Sequence, residues 1–145
     1  MKPSEFLSDA QKKEVESAIK QAELNTSGEI RVHIESNCKG APLDRAAYLF
    51  QKLEMHKTEL RNGVLFYLSF ADHKFGILGD AGINTKVADD FWNNIKEEML
   101  FLFKQEKYSE GLAKGILMAG EQLKAHFPYQ SDDVNELADE ISFGK

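Results

Sequence analysis

Residues 64–70, VLFYLSF, form an almost unbroken apolar run directly after the break at Arg61-Asn62-Gly63. A strand of that kind sits at the centre of a sheet, covered on both faces. The segments around it supply the cover. Ser8 followed by Gln11 has the capping-box pattern, and Val15, Ala18, Ile19 and Ala22 then recur at helical spacing. This predicts a helix from about Asp9 to Leu24, stopped by Asn25-Thr26-Ser27-Gly28. In GEIRVHIES, Ile30, Val32 and Ile34 alternate with Glu29, Arg31, His33 and Glu35, which predicts a strand with one buried face. Leu43, Ala46, Ala47, Phe50 and Leu53 predict a second helix, running to Met55. Ala71-Asp72-His73-Lys74 is a turn into a third strand, FGIL, so the second and third strands make an antiparallel hairpin. Val87, Phe91, Ile95, Met99 and Leu102 define a third long helix. Leu112, Ile116, Ala119 and Leu123 define a fourth, ended by Pro128.

The element order is therefore αβαββαα. A helix separates the first two strands, which makes them parallel with a right-handed crossover. The fold class is α/β: a small mixed sheet sandwiched by helices. A chain of 145 residues suits one domain. Residues 1–127 form the α/β domain and residues 128–145 an acidic C-terminal tail. In the tail Asp132, Asp133, Glu136, Asp139 and Glu140 interleave with Val134, Leu137, Ile141 and Phe143. Two roles fit that pattern: a solvated chain end, or a docking segment that folds over the domain or onto a protein partner.

Composition narrows the function classes. A net charge of −6 argues against nucleic acid as a partner. The single cysteine, Cys38, rules out a disulfide within the chain and a Cys-rich metal site. It reads as an idle thiol before a reactive one. The N-terminus lacks the apolar core of a signal peptide, and no window approaches 18 consecutive apolar residues, so no membrane span is expected and the expected location is cytoplasmic. His33, His56, His73 and His126 lie on separate elements without zinc-site spacing. Gly76, Gly79 and Gly82 follow a returning hairpin strand and do not make the dinucleotide fingerprint.

The topology brings certain chain ends together. Glu29 and Asn62 stand at the starting ends of the two parallel strands. The third strand runs back and finishes beside them at Gly79-Asp80. The next helix starts nearby with Asp89 and Asp90, while Asp72, at the hairpin tip, falls at the opposite edge. Carboxylates gathered this way repel unless a cation or a set of donors stands between them, and hard cations such as Ca²⁺ or Mg²⁺ take oxygen ligands of this kind. Asp80, Asp89, Asp90, Glu29 and Asn62 are thus candidate metal ligands. The same aspartates also suit a turn and the positive end of a helix with no metal at all.

The run SGEIRVHIES, then a helix, then RNGVLFYLSFADHKFGILGDAGIN, an amphipathic helix and YSEGLAKGI, resembles the TPM domain family over about residues 5–126. Within it the chain is similar to short bacterial members that end in a DDVNELADEIS-type tail. The resemblance implies a three-layer α/β/α sandwich, an acidic pocket for a divalent cation and, for some members, acid phosphatase activity. Glu29, Asn62 and Asp80 match family positions, and Asp89 and Asp90 fall where members tend to carry acids. Three functions are therefore expected candidates: a Ca²⁺- or Mg²⁺-binding domain, a metal-dependent acid phosphatase in which Arg61 meets the phosphate, and a protein-interaction domain that uses the tail.

Overall fold

A computed structural model describes residues 1–129 and 137–144. A short helix α1 (Pro3–Phe6) precedes α2 (Asp9–Ala22), strand β1 (Glu29–Glu35), α3 (Pro42–Lys52), a single 3₁₀ turn (Met55–Lys57), β2 (Gly63–Ser69), β3 (Lys74–Gly79), α4 (Ala81–Asn84), α5 (Asn93–Phe103), α6 (Tyr108–Leu123) and β4 (Ser142–Phe143). The capping box opens α2 as expected: Ser8 Oγ accepts from Gln11 N at 3.1 Å, and Gln11 Oε1 accepts from Ser8 N at 2.9 Å.

The sheet order is β3-β2-β1-β4. β1 and β2 are parallel with Glu29 opposite Gly63, and β2 and β3 are antiparallel with Val64 opposite Gly79. Every residue of β2 is buried, as an apolar central strand requires. Ile30, Val32, Ile34, Val64, Phe66 and Leu68 face the larger core with α2, α5 and α6. Leu65 and Tyr67 point the other way, into a smaller cluster with Ala46, Leu49 and Phe50 of α3.

Four features differ from the sequence expectation. The helices α2 and α3 end two and three residues earlier than their apolar periodicity suggests. The third long helix begins at Asn93 and not near Val87, because the chain first makes α4 and then a run of turns. Asp89 and Asp90 lie in those turns, exposed. β1 is not polar on one side and open to water: six of its seven residues are buried, with Arg45 reaching over Glu35 and the C-terminal segment lying against Glu29 and His33. Finally, the sheet has a fourth strand. Ser142 and Phe143 pair in parallel with His33 and Ile34, so this part of the acidic tail folds onto the domain. Asp132, Asp133, Val134 and Glu136 lie outside the described residues.

Candidate functional site at the sheet end

Three of the five candidate ligands meet where β1 and β2 begin and β3 ends. Glu29 N donates to Asn62 O at 3.2 Å, and Asp80 N donates to Gly63 O at 2.9 Å, so the backbone ties the three positions together. Asp80 is 6% exposed. It serves as the N-cap of α4, accepting from Ala81 N at 2.7 Å. Arg61 closes on the same carboxylate with both arms of its fork, Nε to Oδ2 at 2.7 Å and Nη2 to Oδ1 at 2.8 Å. Planar bidentate pairing of this kind is the strongest carboxylate clamp a side chain offers. Arg61 therefore faces Asp80 and not an external anion.

The neighbours are similarly engaged. Asn62 Nδ2 donates to Ser27 O at 3.2 Å, and Asn62 N donates to Thr58 Oγ1 at 3.2 Å. Glu29 is buried, and its Oε1 accepts from Leu137 N at 2.8 Å. Asp89 and Asp90 are not drawn into this group; they remain on the exposed turn before α5. Asp72 is at the far edge, as expected, accepting from Asn37 Nδ2 at 3.1 Å. Among the described residues, no group of three or more His, Cys, Asp or Glu side chains gathers closely enough to hold a metal ion.

A second polar constellation escaped the sequence reading. At the other end of β1, Glu35 accepts from Arg45 Nε at 2.8 Å and Nη2 at 3.0 Å, from Tyr67 Oη, and from His33 Nε2 at 3.3 Å. His33 Nδ1 lies 2.9 Å from Ser142 Oγ, which links the network to β4. Burial alone pushes the Glu35 carboxyl up, but the bonds from Arg45 and Tyr67 outweigh it and hold the group below its ordinary range. Burial pushes His33 down, against the pull of Glu35, so the ring favours its neutral form. The sequence carried half of the signal: Glu29, Arg31, His33 and Glu35 alternate onto one face of β1, but only the structure shows that this face is buried too.

The C-terminal segment is held by acids as well as by β4. Glu23 Oε2 accepts from Ile30 N at 3.1 Å. Burial and a hydrogen bond with Asp139 push its carboxyl up to about 9. A raised acid is protonated in the folded state while the unfolded chain has already ionised. Its favourable contribution is thus complete below about pH 4.5 and is lost progressively as pH rises toward about 9. Glu23→Gln, which keeps an amide donor for Asp139 without a titrating proton, is expected to flatten this decline and raise the melting temperature at pH 8 by a few degrees. Thermal unfolding of both proteins from pH 5 to 9 checks it; parallel curves would show that Glu23 does not carry the effect.

A three-layer α/β fold with a mixed sheet and a cluster of polar residues at the start of its parallel strands defines the class. The chain belongs to the TPM domain family, whose model matches residues 1–122. It is similar to the BA42 protein of the psychrophilic bacterium Bizionia argentinensis, known from an NMR structure. The two are 45% identical over 97% of each chain, with a TM-score of 0.91. The N-terminal domain of a protein from P. gingivalis shares the fold at 20% identity, with 88% of this chain and 83% of that one covered and a TM-score of 0.70. No protein of curated function matches. Among the described residues, no helix is long and apolar enough to cross a membrane.

Proposed function

We propose that the chain binds a divalent cation, Ca²⁺ or Mg²⁺, at the sheet end, with Asp80 as the anchoring ligand, Glu29 and Asn62 as neighbouring oxygen donors, and Asp89 and Asp90 joining them when the exposed turn before α5 moves in. The observation that carries this reading is the contrast within one ion pair. The Asp80 carboxylate is 6% exposed, while the side chain of its counter-cation Arg61 is 49% exposed. The negative charge is built into the corner between β3 and α4, whereas the positive charge reaches in from the surface. A hard cation can replace the guanidinium without disturbing the sheet. Arg61, whose own side chain is half exposed, then turns to water while the cation takes over the neutralisation of the buried Asp80. The Gly63 and Asn62 backbones hold Asp80 and Glu29 in register throughout.

Titration of the protein with Ca²⁺ and Mg²⁺, followed by amide NMR and calorimetry, tests the reading. Saturable shifts centred on residues 27–30, 61–63 and 79–91 are expected. Asp80→Asn abolishes them, and Arg61→Gln, by removing the competing cation, tightens binding a few-fold. Shifts that persist unchanged in Asp80→Asn would refute the anchor.

A further inference from the structure

We infer that the cavity beside Arg31 is a binding site for a small carboxylate carried on a short apolar chain. The sequence contains three arginines. Two of them present the same edge, Nε with Nη2, to a buried carboxylate: Arg45 to Glu35 at 2.8 and 3.0 Å, and Arg61 to Asp80 at 2.7 and 2.8 Å. The third, Arg31, has no such partner among the described residues. It stands in the middle of β1, on the face shared with Glu29, His33 and Glu35. Its Nε is shielded from solvent and makes no hydrogen bond among the described residues. A shielded donor left unmade is costly, and a guanidinium donor more so than an amide. Proteins satisfy such groups with a side chain, ordered water or a ligand.

The space next to Arg31 has the size and lining for a ligand. A cavity of about 290 Å³ is bounded by Arg31, Leu53, Glu54, Lys57, Leu137 and Ala138. With a water molecule's share of the liquid at roughly 30 Å³, it holds about ten water-sized groups, the scale of a small molecule and not a macromolecule. Leu53, Leu137 and Ala138 make an apolar wall. Lys57 is engaged with Glu54 at 3.0 Å, so the two cancel and Arg31 supplies the net charge of the site. His33, next along the same face, is kept neutral by burial and adds none. One planar fork beside apolar walls fits a monoanionic carboxylate, whose two oxygens accept from Nε and Nη2 as those of Glu35 and Asp80 do. A dianionic phosphate would ask for more donors than the cavity offers. The C-terminal segment completes the wall through Leu137 and Ala138, so the site exists only with that segment folded onto the domain. Asp80 is not part of it, but Glu29, a ligand of the proposed cation site, holds Leu137 N, so the two sites meet at that carboxylate.

Acetate, butyrate, hexanoate, butanol and inorganic phosphate are the probes, titrated into the full-length protein while the Arg31 Nε–H signal and the amides of Arg31, Leu53, Lys57 and Leu137 are followed by NMR. Butyrate and hexanoate are expected to shift the Nε–H signal saturably in the millimolar range. Each added methylene tightens binding about three- to fourfold until the apolar wall is filled, while butanol and phosphate bind at least tenfold more weakly. Arg31→Gln weakens hexanoate about tenfold or more, and Arg31→Lys restores only part of the loss. The wild-type Nε–H signal keeps the test decisive even if a variant folds poorly. No saturable shift with any carboxylate would overturn the proposal. So would equal affinity in a folded Arg31→Gln protein, or phosphate binding as tightly as hexanoate.

Discussion

Gly82→Ala is expected to lower stability by about 2–4 kcal/mol and the melting temperature by roughly 10 °C. A methyl group at this position would stand 2.2 Å from the Leu60 carbonyl oxygen and 2.6 Å from that of Arg61. Both are backbone atoms, so no side chain can swing aside. The loop cannot easily retreat either. Arg61 O accepts from Gly82 N at 2.9 Å, Asn62 N is held by Thr58, and Asn62 O accepts from the first amide of β1. Moving the loop far enough breaks these bonds together and pulls the Arg61 fork off Asp80. Gly40 makes a useful contrast. Its φ is +81°, but nothing lies within 4 Å of an added Cβ, so Gly40→Ala meets backbone strain alone and costs about 1 kcal/mol. Thermal unfolding of both variants measures the difference. A Gly82→Ala melting temperature equal to that of the wild type would mean that α4 and the loop do not pack as described. Loss of cation response in the same variant would tie the glycine to the proposed site through the position of Asp80.

The central strand, the parallel crossover and the capping box were legible because each depends on residues close in sequence. Hydrophobic period, turn chemistry and a cap are local properties. From them followed the adjacency of Glu29, Asn62 and Asp80, which only needs strand directions. What the sequence hid depends on the identity of distant partners. Alternation along β1 reads as a solvated polar face, because polarity alone does not reveal that Arg45, ten positions on, and Tyr67, thirty-two positions on, return to satisfy Glu35. β4 is two residues long, too short to show any period. Val87 and Phe91 sit at helical spacing yet pack against the core from turns, so periodicity starts α5 too early and puts Asp89 and Asp90 at a helix end they do not occupy. From sequence alone Arg61 is available to meet a phosphate, as the phosphatase alternative needs. Its positive φ, +51°, belongs to a loop conformation that local sequence does not announce, and in that loop the guanidinium lies on Asp80.

Glu35→Ala is expected to be the most damaging of the side-chain changes, at about 3–5 kcal/mol. The carboxylate is the common acceptor for Arg45, Tyr67 and His33. Arg45, with a side chain 37% exposed, can turn to water when the carboxylate goes. Tyr67 is 1% exposed and cannot, so its buried hydroxyl is left with only the weak acceptor Cys38, a loss of about 1–3 kcal/mol by itself. His33 loses the acceptor that orients its ring toward Ser142, and β4 loosens with it. Glu35→Gln keeps the shape and one acceptor oxygen and is expected to cost less. It also separates the pH effects. The wild-type Glu35 carboxyl is held low, so its stabilising contribution is present above about pH 4.5 and is lost as pH falls through its lower folded value. His33 is held below its ordinary 6.5, so the unfolded chain takes up a proton that the folded one resists, and stability declines as pH falls below about 6.5. The wild type should therefore weaken in acid in two stages. Glu35→Gln should shrink the stage below pH 4.5, to which Asp72 and Glu54 also contribute, and keep the one that begins near 6.5. Urea unfolding of both proteins from pH 3 to 7 resolves the stages. An acid branch below pH 4.5 that is unchanged in Glu35→Gln would mean that Arg45 and Tyr67 do not hold a charged Glu35, and the network would have to be neutral.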